Sequence, residues 1–232
     1  MKTIIIMGNG PSLRKIDFNE IRKYDSFGLN AAYRVYKKLN FYPTYFGSYD
    51  CNINNKHKEH FESLIKEDNS IKRFFLIGNY ELKQNLYGKD IVMNERFQKI
   101  NFSNARNNKL SDSFNEFNDF GSSGANAVQT AILMGYKKII LLGCDDKYFL
   151  TSGMKIKGAK YEITKTVDNN PNSWFDEYHI KGDNNWTPKQ ASSFSWKIVY
   201  DNTPDDVEII NCSEGSQIPY FKKDKFINFY NV

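Results

Sequence analysis

The sequence predicts an α/β domain built on a mostly parallel central sheet flanked by helices, and three observations carry that prediction. The chain opens on an unbroken apolar run, Thr3-Ile4-Ile5-Ile6-Met7, of the kind that suits a strand buried on both faces. A second such run, Lys138-Ile139-Ile140-Leu141-Leu142-Gly143, follows an Ala-rich helical stretch, Ala125 to Met134, that Gly135 ends. Between the two, short apolar segments end one after another on polar residues: Asn9, Asn30 and Asp50. In an open parallel sheet such carboxyl ends line one crevice. A chain of 232 residues suffices for one large α/β domain, and no repeat or linker divides it. The expected architecture is a single Rossmann-like domain over residues 1–232, with a lid region over about 149–188.

The elements follow in order. After the first strand, Gly8-Asn9-Gly10-Pro11-Ser12-Leu13 forms a turn: the glycines allow close backbone approach, Pro11 fixes φ, and Ser12 is a capping residue. Asp17 caps a short helix. Ser26-Phe27-Gly28-Leu29 is a second strand ending at Asn30, and Ala31 to Tyr36 is helical. Pro43 to Ser48 is a third strand, ending near Asp50. Asn55 to Lys66 is an amphipathic helix that carries His57 and His60 on a solvated face. Arg73 to Ile77 is a fourth strand. The Asn-rich stretch from Leu82 to Leu110 holds a short strand at Lys99 to Phe102. Residues from Phe149 to Pro188 read as irregular, Lys189 to Tyr200 as the last helix, and Val207 to Asn211 as the last strand.

Composition narrows the function classes. Hydrophobic residues make up 40% and charged residues 25%, which is ordinary for a globular domain. The net charge of +5 comes from basic residues scattered among acidic ones, so no nucleic-acid stripe stands out. It leaves a weak pull toward anionic substrates or an anionic membrane surface. The three cysteines, Cys51, Cys144 and Cys212, are far apart with no CxxC pair, which argues against a disulfide framework or a zinc site. The N-terminus lacks signal-peptide flanks and no apolar run is long enough to span a bilayer, so a cytoplasmic protein is expected, with peripheral association at the inner face of the cell membrane left open.

Two stretches carry candidate chemistry. The Gly8–Ser12 turn is a common place to hold a nucleotide, although it is neither a full G-x-G-x-x-G fingerprint nor a Walker A loop. A bare strand-to-helix turn would read the same. Phe120-Gly121-Ser122-Ser123-Gly124 precedes the Ala-rich helix. A helix N-terminus with two hydroxyls has free N–H groups and a positive dipole end, so it suits an anion; a plain cap is the other reading. His57 and His60 lack a third ligand at metal spacing.

These residues resemble a known family. Gly8-Asn9-Gly10-Pro11-Ser12-Leu13-Arg14-Lys15-Ile16-Asp17 is similar to the opening of the bacterial lipooligosaccharide sialyltransferases, a CMP-sugar family. Phe27-Gly28-Leu29-Asn30 resembles its second strand, and Ser122-Ser123-Gly124 through Gly143-Cys144-Asp145 its Thr-Ser-Gly loop, helix and following strand. The same segments resemble the broader group of motility-accessory-factor glycosyltransferases and 6-hydroxymethylpterin diphosphokinase-like proteins. The resemblance implies a glycosyltransferase that moves sialic acid or a related nonulosonic acid from a CMP-activated donor to a cell-surface glycan, as in lipopolysaccharide or capsule synthesis. Transfer would be inverting and metal-independent.

The resemblance also implies roles. Gly8, Asn9, Gly10, Pro11, Ser12, Asn30 and Asp50 would line the cytidine and phosphate site. Ser122, Ser123 and Gly124 would hold the phosphate and sugar carboxylate, and Asp145 would bind the nucleoside or orient the loop. Tyr148 and Tyr161 are the nearest tyrosines to steady the leaving phosphate. The family's lid histidine falls at Asp183 when the glycines of Tyr178-His179-Ile180-Lys181-Gly182-Asp183 are aligned, so Asp183 or His179 is the candidate base. Phe120 stands where the family has a loop arginine. No cofactor or resident metal is implied. The partners are a nucleotide-sugar donor and a glycan acceptor, with a homo-oligomer left open. Two other readings stand beside this one. The first is Mg²⁺-dependent pyrophosphoryl transfer, with Asp50, Asp145 and Asp146 as metal carboxylates. The second is a non-catalytic nucleotide-sugar binder.

Overall fold

The computed structural model describes residues 1–67, 70–77, 86–103, 108–158, 160–186 and 191–230. β1 (Thr3–Met7) lies at the centre of the sheet, with four of its five residues buried. The other strands are β2 (Asp25–Leu29), β3 (Tyr45–Ser48), β4 (Arg73–Ile77), β5 (Phe97–Ile100), β6 (Lys138–Leu142), β7 (Met154–Lys157), β8 (Lys160–Ile163), β9 (Asn184–Trp186), β10 (Glu208–Asn211) and β11 (Lys222–Lys223). Eight of them form one sheet in the order β11-β10-β6-β1-β2-β3-β4-β5. Every pairing in it is parallel. The chain winds outward from β1 to β5, then returns to the other side of β1 with β6. Strand order therefore reverses between β1 and β6, whose register runs from Thr3 opposite Lys138 to Met7 opposite Leu142.

The helices are α1 (Phe18–Ile21), α2 (Tyr33–Leu39), α3 (Cys51–Glu67), α4 (Lys89–Val92), α5 (Ser123–Leu133) and α6 (Ala191–Asn202). Alternate residues of β1 point to opposite faces. Ile4 and Ile6 pack with Ala127, Val128 and Ala131 of α5 and with Trp196 and Val199 of α6. Ile5 and Met7 pack on the other face with Val35 and Tyr36 of α2 and Phe61 and Ile65 of α3. Covering both faces is what permits strands as uniformly apolar as β1 and β6. The sheet is thus the mostly parallel, helix-flanked one that the sequence predicts.

Four details differ from expectation. Residues 149–188 are not simply irregular: β7, β8 and β9 form a separate antiparallel sheet in that order. The signal was the alternation Met154-Lys155-Ile156-Lys157 and Lys160-Tyr161-Glu162-Ile163, in which Tyr161 and Ile163 are buried. α3 begins at Cys51, a turn before Asn55, because the Asp50 carboxylate accepts from the amides of Asn52 and Ile53. His57 is buried rather than solvated, since Tyr33 of α2 covers it. The fifth strand sits at Phe97–Ile100, with Phe102 in an isolated bridge to Phe117. Parts of the 82–110 stretch, the Pro188 end of the lid and the helix start at Lys189 lie outside the described residues.

Candidate active site at the switch point

The crevice floor is made of backbone. Gly8 N–H donates to Leu142 O at 2.7 Å and Gly10 N–H to Gly143 O at 2.8 Å, so the ladder between β1 and β6 continues past the strand ends. The approach is too close for side chains: a Cβ on Gly8 would lie 2.3 Å from Gly143 O, and one on Gly10 would lie 1.8 Å from Asp145 Oδ2. Pro11 opens a short 3-10 turn, Pro11–Lys15, and Ser12 sits on it facing Asp145. Ser12 Oγ donates to Asp145 Oδ2 at 2.9 Å, and its amide to Oδ1 at 3.3 Å. Burial raises the Asp145 pKa and the Ser12 bonds only partly offset that. Each carboxylate oxygen thus accepts one hydrogen bond from Ser12.

The rim is polar. Asn30 follows β2 in the left-handed region, φ 54°, which asparagine tolerates better than most residues. Its amide donates to Ser123 Oγ at 3.2 Å and accepts from Ser48 Oγ at 3.3 Å. Asn30 therefore links the ends of β2 and β3 to the N-terminus of α5. Ser122 is the N-cap of α5 and makes no side-chain capping bond, so the helix end keeps amide donors to offer. Gly124 lies under the Trp196 ring, 2.9 Å from where a Cβ would be. Phe120 turns inward to the core of α5 and α6, so that position brings no charge to the rim. Asn9 is engaged at both ends: its Nδ2 donates to Leu29 O at 3.1 Å and its Oδ1 accepts from Trp174 Nε1 at 3.3 Å.

The lid comes down on the carboxyl ends of β2 and β3 and is fastened by charge. Arg34 Nη1 of α2 donates to Asp183 Oδ2 at 2.7 Å and to Tyr178 O at 2.7 Å. Lys56 Nζ of α3 lies 2.9 Å from Asp183 Oδ1, and the Ile180 amide donates to Oδ2 at 3.0 Å. Burial alone would raise the Asp183 pKa, but these donors outweigh it and hold the carboxyl well below the usual carboxylate range. So stabilised an anion is a poor proton acceptor at neutral pH. A second clamp is Arg14, which donates to Trp174 O, Asn170 O and Asp176 Oδ1.

Within the lid, His179 is 4% exposed and its Nδ1 has no hydrogen-bond partner. Burial lowers its pKa to about 4, with Asp183 opposing and Arg34 adding to the shift. The imidazole is neutral at pH 7, and the burial that keeps it so makes it a weaker base than an exposed histidine. Its ring lies edge-on to Tyr178 and Tyr161, at 4.7 and 6.4 Å between centroids. Tyr161 is buried and Tyr148 half exposed, so the two do not present hydroxyls alike. Tyr178 lies near Asn30, and burial raises its pKa. His57 shares a 3.1 Å hydrogen bond with the Tyr33 hydroxyl, and its Nε2 lies 3.9 Å from Asp183 Oδ1. His57, Lys56, Asn52 and Ala31 form one wall of a small cleft; Tyr178, His179, Asp183 and Asn184 form the other.

The structure therefore brings the Gly8–Ser12 turn, Asn30, Ser123 and Asp145 to one edge of the sheet, and joins His179 and Asp183 to it through the lid. Arg34 and Lys56 are the participants that sequence reasoning missed as site residues, while Tyr178 and Trp174 belong to the polar loop read as a lid. Arg34 carried one signal: it sits four residues after Asn30, in the helix that starts at the carboxyl end of β2. Of the three carboxylates suggested for Mg²⁺, Asp50 caps α3 and Asp145 bonds Ser12. Among the described residues no group of three or more His, Cys, Asp or Glu side chains is placed to hold a metal.

The sequence pattern of the MptE-like family, described as 6-hydroxymethylpterin diphosphokinase MptE-like, matches residues 1–149. The chain belongs to the MptE-like family. The matched part of this MptE-like chain runs from β1 through β6, which includes the whole crevice floor and excludes the lid. Among solved structures it is similar to a MAf glycosyltransferase from Magnetospirillum magneticum AMB-1, with TM-score 0.54 and 15% identity over 100% of this chain and 34% of that one. It spans about a third of that protein's length. It is also similar to the sialyltransferase CstII from Campylobacter jejuni in complex with cytidine-5'-monophosphate, with TM-score 0.49 and 17% identity over 96% of this chain and 84% of that one. At such identities the likeness is one of fold. A search of curated proteins gives no match.

Proposed function

We propose that this MptE-like protein transfers a glycosyl unit from a nucleotide-activated sugar, with a CMP-activated nonulosonic acid as donor and a glycan hydroxyl as acceptor. The observation that carries the reading is the switch-point crevice, where Asn30 bonds Ser123 at the uncapped N-terminus of α5 beneath a lid that carries the neutral His179. The α5 terminus, with Ser122 and Ser123, is the place for the donor phosphate and sugar carboxylate. Its amides and dipole stabilise the charge that develops on the leaving phosphate. The acceptor oxygen attacks the anomeric carbon, the bond from that carbon to the phosphate oxygen breaks with its electron pair leaving on CMP, and the acceptor proton passes to His179. Displacement from the opposite face inverts the anomeric centre. Asp183 acts by position, fixing the 178–183 segment through Arg34 and Lys56. Since the helix terminus supplies the positive potential, the step as drawn involves no metal.

The match to the pterin diphosphokinase-like family favours a second reading, Mg²⁺-dependent pyrophosphoryl transfer from ATP. A thermal-shift series with CMP, UDP, GDP and ATP, with and without Mg²⁺, separates the two. Glycosyl transfer predicts stabilisation by CMP that is indifferent to chelator. Stabilisation by ATP only in the presence of Mg²⁺, with none by CMP, overturns it. In a CMP-sialic acid turnover assay, His179→Ala should lower kcat at least a hundredfold, the scale of a lost general base.

A further inference from the structure

Residues 147–157, Lys-Tyr-Phe-Leu-Thr-Ser-Gly-Met-Lys-Ile-Lys, contain three lysines and no Asp or Glu. They leave the crevice directly after the Gly143–Asp145 wall and run into β7. Apolar side chains stand out along them: Tyr148 is 49%, Phe149 46%, Leu150 66% and Ile156 54% exposed. Phe149 and Leu150 are successive apolar side chains facing solvent, beside the half-exposed ring of Tyr148 whose hydroxyl end is buried, and exposed apolar surface of this kind marks an interaction site. Looseness does not explain it. Phe149 is pinned at both backbone groups by the buried Asn172: its N–H donates to Asn172 Oδ1 at 2.6 Å, and Asn172 Nδ2 donates to its carbonyl at 2.7 Å. Lys147 Nζ lies 4.9 Å from the centre of the Phe149 ring.

The lysines of β7 have a second explanation. β7 is an edge strand, and edge lysines deter sheet-to-sheet pairing. Lys157 also pairs with Glu162. Neither point accounts for Tyr148, Phe149 and Leu150, which precede the strand. Of the two preceding carboxylates, Asp145 is buried against Ser12, and the half-buried Asp146 offsets one of the three lysines and leaves the patch positive. Lysine ammoniums beside exposed aromatic and aliphatic side chains match the boundary of an anionic bilayer, where the rings enter the headgroup layer and the ammoniums meet lipid phosphates.

We propose that the 147–157 surface docks this protein on an anionic membrane, with the mouth of the crevice beside the bilayer. The proposal does not depend on which reaction the crevice performs. It is tested by flotation of the full chain with vesicles of pure phosphatidylcholine and with vesicles in which about a quarter of the lipid is phosphatidylglycerol. Binding is expected to the anionic vesicles, falling with salt, and weak or absent on pure phosphatidylcholine. The double substitution Phe149→Ser/Leu150→Ser should weaken it at least tenfold, and Lys155→Gln about fivefold, the scale of one lysine at such a surface. Ile227→Ser removes an apolar side chain that is 63% exposed elsewhere and should leave binding unchanged. Matching melting temperatures show that the variants fold. Absence of binding to anionic vesicles overturns the proposal, as does binding that survives Phe149→Ser/Leu150→Ser or falls equally with Ile227→Ser. Concentration-dependent dimers that this double substitution abolishes, without vesicle binding, would make the patch a contact between copies and also overturn it.

Discussion

The crevice floor and the lid meet over one site but are held by different physics. The floor is a backbone ladder between β1 and β6, closed by glycines and flanked by apolar side chains on both faces. The lid is held by a handful of polar side chains: Arg34 and Lys56 on Asp183, Arg14 on the 170–176 segment, and Trp174 on Asn9. Loss of one lid contact therefore frees a segment, while loss of one floor contact displaces the sheet. The contrast teaches where rigidity is built in and where movement is cheap.

The sharpest way to break the comparison is at the floor. Gly8→Ala forces a methyl against the Gly143 carbonyl, an atom with no freedom to rotate away. A loss of about 3 kcal/mol of unfolding free energy is expected in urea titration, together with loss of nucleotide binding. At the lid, Arg34→Ala leaves the buried Asp183 with Lys56 as its remaining cation. The expected cost is about 2 kcal/mol, below the full price of an unpaired buried charge. Hydrogen exchange should locate it: the Ile180, Gly182 and Asp183 amides exchange faster while the β1 and β6 amides keep their protection. Equal loosening of β6 would show that lid and sheet open as one unit.

Acid should separate the regions next. His57 and His179 both have pKa values lowered to about 4, chiefly by burial, against about 6.5 in an unfolded chain. Between those values the unfolded state binds protons that the folded state refuses, so stability falls as pH drops from about 6.5 to about 4. On the order of 1 kcal/mol per imidazole is expected between pH 7 and pH 5, read as a lower melting temperature. His57→Gln and His179→Gln should each flatten the profile. Asp183, whose pKa is lowered, adds its own loss below about pH 4, as it too is finally protonated. The smallest effect belongs to Trp174→Phe, which keeps the ring beside Phe18 but removes the N–H that reaches Asn9. About 0.5 kcal/mol is expected, visible as faster exchange at the Trp174 amide alone.

Legibility in the sequence followed the same division. β1 and β6 announce themselves because burial on both faces demands unbroken apolar runs, and the ends of β1, β2 and β3 could be lined up from Asn9, Asn30 and Asp50. Ser122 and Ser123 were readable because a helix N-terminus is a local feature. The lid was not, because its contacts span the chain: Arg34 and Asp183 lie 149 residues apart. Nothing near Asp183 in the sequence shows that two cations hold it ionised, and nothing near His57 shows that Tyr33 covers it. β7 and β8 alternate as strands should, but the lysines of an exposed edge made Met154 to Lys157 look like loop. Nothing near Asn9 in the sequence shows that its amide bonds Leu29 at one end and Trp174 at the other.

Gly8 and Gly143 exclude side chains from each other: a Cβ on either would press on the other's carbonyl oxygen, at 2.3 Å and 2.8 Å. Neither position can vary alone without driving the two halves of the sheet apart. A floor made of backbone carries no side chain with which to distinguish one nucleotide or sugar from another. Divergence in substrate choice has to be written elsewhere, in the rim around Asn30 and Ser123 and in the lid. The same floor can then serve relatives that act on unlike substrates, with inheritance concentrated in the sheet and innovation in what is laid over it.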